Sequence, residues 1–195
     1  MSQSQRSKGE RDVLAVRSQF TLGVGAFGAK VSSSGPDSQF LVWRGQLQYV
    51  RLLAPKRRMV VRADVQLAVG ELLPIEQFGR GGSDTVRGYR HDAVLAYSGV
   101  FGSAELWYPI VRTGDKQGVL QVTPFVDFGN VWTYSGGRAI LEADTLLSAG
   151  LGLRWQYGER SNAGGGGGIP SIGLKSSDRS WQERGVYFSV EFKPF

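Results

Sequence analysis

Apolar and polar residues alternate with period two along most of this chain. Leu14, Val16, Phe20, Leu22 and Val24 share one face of the first such segment, while Ala15, Arg17, Gln19 and Thr21 share the other. Leu41, Trp43, Gly45, Leu47 and Tyr49 then oppose Val42, Arg44, Gln46 and Gln48, and Val61 to Val69 oppose Arg62, Asp64, Gln66 and Ala68. The pattern returns over Val100 to Tyr108, Leu120 to Phe128, Leu147 to Tyr157 and Val186 to Phe192. Side chains i and i+2 share a face only in a strand, so the chain is expected to be all-β and antiparallel. The glycine-rich stretch from Gly164 to Leu174 alternates weakly and is taken as one further strand, which gives about eight.

Such alternation suits either a soluble sandwich with one wet face or a membrane barrel. Two observations favour the barrel. Most segments exceed the 5 to 6 residues usual for soluble sheets and reach the roughly 9 to 11 needed to cross a bilayer. The polar face is also rich in Gly, Gln, Ser and Arg, as a water-filled lumen requires. No run of about 20 apolar residues is present, so no helix is expected to cross the membrane.

The connections fall into two classes. Ala54 to Arg58, Arg112 to Gly118 and Gly158 to Ser161 are short, whereas Ala29 to Gln39, Leu72 to Ser98, Thr133 to Thr145 and Lys175 to Arg184 are longer. Short turns at one end and long loops at the other is the layout of an outer-membrane barrel. Trp43, Trp107, Trp132, Trp155 and Tyr157 lie near strand ends, where interfacial aromatic girdles belong. Residues 1–12 are expected to form a polar N-terminal segment and 13–195 the barrel portion, with 71–98 as its long loop.

Several function classes are excluded or disfavoured. There is no cysteine and only one histidine, His91, so neither a thiolate nor a His-based metal or triad site is expected. Gly23-Val-Gly-Ala-Phe-Gly28 matches a dinucleotide fingerprint by letter, but it lies in a strand and runs into a loop rather than a helix. The formal charge of +6 comes from Lys and Arg scattered over strands and turns, which does not suggest nucleic-acid binding. No enzyme activity, cofactor, metal, nucleotide or nucleic-acid partner is expected.

The loop from Leu72 to Ser98 exceeds the 12 to 15 residues beyond which a connection is usually functional or disordered. It carries Gln77-Phe-Gly-Arg-Gly-Gly-Ser-Asp-Thr-Val-Arg-Gly-Tyr-Arg90. Downstream, Phe125-Val-Asp-Phe-Gly129 sets Asp127 on the polar face of a strand. An inward carboxylate needs a partner, and Arg87 is a suitable bidentate donor if the loop folds inward. The alternative is an external loop and a hydrated Asp127.

These two segments, with Gly102-Ser-Ala-Glu-Leu-Trp-Tyr-Pro109 and the chain end Tyr187-Phe-Ser-Val-Glu-Phe-Lys-Pro-Phe195, resemble the C-terminal half of a two-partner secretion transporter. The type is the haemolysin secretion/activation protein (ShlB/FhaC/HecB), within the outer-membrane transporting barrels that carry POTRA domains. The resemblance implies a sixteen-stranded barrel of which this chain supplies about eight strands. It further implies that Val86, Arg87, Gly88 and Tyr89 form a loop tip inside the pore, where Arg87 meets Asp127 between Phe125 and Gly129. Glu105 matches the inward acidic position of the intervening strand, and Phe78, Gly81 and Gly82 support the loop. The implied function is passage of a large unfolded exoprotein to the surface of a bacterial or cyanobacterial cell, across the outer membrane. Its partners would be that exoprotein, outer-membrane lipid and the barrel-assembly machinery. An assembly factor of the same superfamily and a free-standing eight-stranded surface barrel are the alternatives. Phe188, Phe192 and Phe195 are the candidates for a C-terminal insertion signal, although the apolar positions Val186, Phe188, Val190 and Phe192 are out of step with the terminal Phe195.

Overall fold

A computed structural model of the chain describes residues 2–8, 11–24, 40–69, 72, 74–80, 85–89, 94–114, 118–135, 138–158, 161–171 and 186–192. The strands are β1 (Ser2–Lys8), β2 (Asp12–Gly23), β3 (Phe40–Ala54), β4 (Arg57–Val69), β5 (Phe78–Arg80), β6 (Val94–Ala96), β7 (Ser98–Arg112), β8 (Gly118–Ser135), β9 (Arg138–Tyr157), β10 (Ser161–Pro170) and β11 (Val186–Phe192). Nine of them pair in the order β1-β2-β3-β4-β7-β8-β9-β10-β11, and β5 and β6 form a separate hairpin. Every neighbouring pair is antiparallel. No described helix is long and apolar enough to cross a membrane.

One face of this sheet is apolar and uncovered. Phe20, Leu22, Leu41, Leu67, Val69, Val126, Phe128, Leu151 and Leu153 are all exposed on it. A soluble sandwich would bury such a face beneath a second sheet, and lipid contact accounts for its exposure. The opposite face buries Gln66, Ser103, Gln121, Thr123, Asp127 and Ser148. The fold is therefore an antiparallel sheet of transmembrane barrel type. Among the described residues β1 and β11 stand at its two edges and do not pair with each other, so the sheet is open.

The sheet has nine strands rather than the expected eight because the weakly patterned N-terminal residues supply one more. Residues 1–12, read as a polar segment apart from the barrel, contribute β1, which pairs with β2 from Ser2↔Gln19 to Lys8↔Val13. An edge strand is held by its backbone ladder and does not need an apolar face. The glycine run forms β10, whose Gly164 to Gly168 pair with β9 on one side while Gly164 to Gly167 pair with β11 on the other.

The Thr133 to Thr145 connection, expected as a long loop, is instead mostly ladder. Thr133↔Ile140, Tyr134↔Ala139 and Ser135↔Arg138 continue the β8–β9 pairing past an irregularity between Val131 and Thr133. Thr, Tyr and Ile favour the strand conformation there, and only the alternation is interrupted. The Leu72 to Ser98 loop also has structure of its own, a 3-10 turn at Pro74–Glu76 and the β5–β6 hairpin.

The apolar core lies between this loop and the sheet. Phe78, Val86, Tyr89 and Ala96 from the loop cluster with Phe101, Val131 and Leu146 from β7, β8 and β9. Leu72 joins Val42 and Ala68 in a second cluster near the loop's start, flanked by Phe40 and Tyr97. Full burial of a Val, Leu or Phe side chain contributes about 1.5–3 kcal/mol. These clusters hold the loop to the polar face before any charge is considered.

Candidate functional site

The site is assembled from the loop tip, residues 85–89, and the facing sides of β7 and β8. On β8, Phe125, Asp127, Gly129 and Val131 alternate with the exposed Val126 and Phe128 and so point toward the loop. On β7, Ser103 pairs with Asp127 and Glu105 with Phe125 in the cross-strand register. Period two and this register together place two carboxylates and a hydroxyl side by side.

Arg87 closes on that group. Its Nε and Nη2 donate to the two oxygens of Asp127, each at 2.8 Å, and its backbone N–H donates to Oδ2 at 3.0 Å. Nη1 donates to Glu105 Oε2, and Nη2 to Ser103 Oγ at 3.2 Å. Ser103 Oγ in turn donates to Asp127 Oδ1 at 2.7 Å. The guanidinium carbon lies 3.6 Å from the centroid of the Phe125 ring. Asp127 is fully buried and Arg87 nearly so, at 0% and 8% exposure. Burial alone would lower the Arg87 pKa, but hydrogen bonds and attraction from Asp127 and then Glu105 outweigh it and raise the net value. The cation is permanent at any physiological pH.

Gly88 follows with φ +99°, a left-handed conformation that side-chain-bearing residues rarely adopt. Its backbone packs directly on β10, where a Cβ placed on Gly168 would lie 2.9 Å from the Arg87 carbonyl oxygen and 3.0 Å from Gly88 N. A Cβ on Gly150 of β9 would strike the Phe125 ring at 2.6 Å, and one on Gly129 would meet Val86 Cγ2 at 3.0 Å. Glycines in β8, β9 and β10 therefore form the floor on which the tip rests. Tyr89 completes the tip: its hydroxyl donates to Leu147 O at 3.1 Å and accepts from Leu147 N at 3.2 Å, bonding to the β9 backbone.

A second attachment holds the start of the loop. Arg44 on β3 donates to Gln66 Oε1 and Glu76 Oε2, both at 2.7 Å, and Gln66 Nε2 donates to Glu76 O at 2.9 Å and Tyr97 O at 3.1 Å. Arg44 and Gln66 are direct cross-strand partners.

Of the residues singled out in the sequence, Val86, Arg87, Gly88, Tyr89, Glu105, Phe125, Asp127 and Gly129 meet at this one place. Phe78 is buried in the adjoining apolar cluster against Gly99, where a Cβ would come within 2.5 Å of its ring. Gly81, Gly82, His91 and Phe195 lie outside the described residues. Phe188 is 86% exposed on the apolar face, and Phe192 ends β11. Trp107, expected in an interfacial girdle, lies on the loop-bearing face instead, since it alternates with Leu106 and Tyr108 and donates its indole N–H to Glu105.

Sequence reasoning missed Ser103, the Arg44–Gln66–Glu76 brace and the Gly168 floor. Ser103 and Gln66 carry a findable signal, because each sits on the polar face of its strand beside an identified residue. Gly168 carries none, since contact between a loop backbone and a distant strand leaves no local pattern.

Residues 1–155 match the family model described as Haemolysin secretion/activation protein ShlB/FhaC/HecB. Among solved structures, CdiB from Escherichia coli is similar in fold, with a TM-score of 0.77 and 22% sequence identity. That likeness covers 97% of this chain and 35% of CdiB, so the chain spans about a third of that protein's length. No curated protein matches the chain.

Proposed function

The chain belongs to the haemolysin secretion/activation protein ShlB/FhaC/HecB family, and from that premise we propose that it forms part of an outer-membrane pore that passes a large unfolded partner protein to the cell surface. The observation that carries this reading is the docking of a long loop onto the polar face through a buried Arg87 bonded to Asp127, Glu105 and Ser103. The loop is held inside by this charged cluster together with the apolar packing of Val86 and Tyr89 beside it, so freeing the tip requires both to part. The apolar face meets outer-membrane lipid, the barrel-assembly machinery inserts the strands, and transport involves no covalent chemistry, nucleotide or nucleic acid.

In this reading the Arg87 cluster is a latch: Val86, Arg87, Gly88 and Tyr89 form its moving part, and Glu105, Phe125, Asp127 and Gly129 form its seat. The test is secretion of the partner exoprotein by the full-length protein carrying Arg87→Ala, with heat-modifiable gel mobility as the measure of barrel insertion. Lowered secretion with normal insertion is expected. Unchanged secretion would remove the latch role, and lost insertion of other barrels with normal secretion would favour an assembly factor.

A further inference from the structure

On the loop-bearing face, one step from the Arg87 cluster toward the short-turn end, the indole of Trp107 lies between two arginines. The guanidinium carbon of Arg154 on β9 is 4.4 Å from its ring centroid, and that of Arg58 on β4 is 5.5 Å away. Arg58 is the cross-strand partner of Trp107, whereas Arg154 reaches it across β8, from beside Gln121.

Attraction to one ring offsets only part of the repulsion between two cations. Among the described residues no carboxylate forms an ion pair with either arginine; Glu105, which bonds the Trp107 indole N–H, is engaged by Arg87. The Arg154 Nε–H is enclosed with no acceptor. One donor of this guanidinium is thus left unmatched, a buried polar group of the kind native folds rarely keep. Arg58 is exposed and Arg154 half-buried, so a ligand can approach both from the open face.

We propose that Arg58, Trp107 and Arg154 form a docking site for the carboxylate side chains of an extended acidic peptide, which under the pore reading above, on which this assignment of the peptide as cargo rests, is a segment of the chain in transit. Guanidinium groups match carboxylates in a forked geometry. An extended peptide presents residues i and i+2 on one side at roughly 6.6–6.8 Å, which lets two neighbouring carboxylates engage two arginines on either side of one ring. The indole between them offers a flat surface to the methylene stems of those side chains. Each contact is partly solvated, so the site holds a passing chain and lets it go.

The test is fluorescence anisotropy of a labelled octaglutamate peptide titrated with the full-length protein in detergent. Saturable binding is expected, weakened about tenfold or more by Arg58→Gln/Arg154→Gln and by a smaller factor in Arg58→Gln alone. Arg51→Gln, on the opposite face, should bind as the parent does. Gel mobility before and after heating checks that each variant is folded. Equal affinity in the folded single and double variants overturns the proposal, as does equal binding of an octaserine peptide. Competition by inorganic phosphate at the same anion concentration as the peptide would show a simple anion site and likewise overturn it. Secretion by the double variant reads the cargo assignment separately: weakened binding with normal secretion would leave the peptide site standing and sink its place on the transport path.

Discussion

Arg87 reaches Asp127 three times, twice through its guanidinium and once through its own backbone N–H. The side-chain bonds fix charge and the backbone bond fixes position, so the loop tip is located by its main chain as well as its cation. Glu105 and Ser103 then occupy the remaining edge of the same guanidinium.

Arg87→Lys keeps the charge and loses the fork. At least one charge-assisted hydrogen bond disappears, worth about 1.5–3 kcal/mol, and no ammonium can serve Asp127, Glu105 and Ser103 in this planar arrangement. Chymotryptic cleavage after Tyr89, which is buried in the docked tip, should rise in the variant. Cleavage at the parental rate would show that charge alone holds the tip.

Exchanging the two charges, Arg87→Asp with Asp127→Arg, should fail to restore secretion. The carboxylate introduced at position 87 would face Glu105, and the backbone N–H at that position would lose its own carboxylate acceptor. Removing one member of a buried pair costs about 3–5 kcal/mol, and the double exchange should cost at least as much as either single change. Recovery to parental secretion would mean that the pair acts only as two opposite charges.

Gly168→Ala tests the floor without touching any polar group. The added methyl would lie within 3.0 Å of the backbone of Arg87 and Gly88, and neither backbone can yield without disturbing the bonds to Asp127. Secretion and Tyr89 protection should change in the same direction as in Arg87→Lys. Gly102→Ala is the control, since nothing lies within 4 Å of its added methyl, and it should leave both unchanged.

Arg44→Gln should have the smaller effect. The Arg44 and Glu76 side chains are 32% and 25% exposed, and a solvated pair of this kind contributes about 0.2–1 kcal/mol. Proteolysis near Ile75 should increase modestly while Tyr89 remains protected. Exposure of Tyr89 in this variant would show that base and tip release together.

Strand faces were legible wherever alternation was strong, and with them the positions of Asp127 and Glu105, because the period of two is imposed by the backbone itself. Residues 1–12 and Gly164 to Gly168 were harder to read. In β1 both faces are polar, and in β10 five successive positions have no side chain, so pairing is decided by neighbouring strands rather than by local composition. Thr133 to Thr145 misled for the opposite reason: glycines and a broken alternation resembled a loop, while the ladder persisted through an irregularity. At the site, the pairing of Arg87 with Asp127 followed from the need of a buried carboxylate for a partner. Arg44 with Glu76 did not, because a half-exposed pair is under no comparable demand.

β4 and β7, which carry the two ends of the long loop, are hydrogen-bonded neighbours, with Gln66 opposite Gly99. Adjacent strands lie about 4.8 Å apart, so the loop leaves and re-enters the sheet at almost the same point. A segment with coincident ends swings about a single pivot, and its two fastenings stand at different radii from it. Glu76 is bonded by Gln66, opposite Gly99, whereas Arg87 is bonded to Ser103 and Glu105, further along β7, so a small rotation that barely strains the inner contact sweeps the outer one through a longer arc. The stronger fastening therefore sits at the larger radius, where it resists turning with the greatest torque.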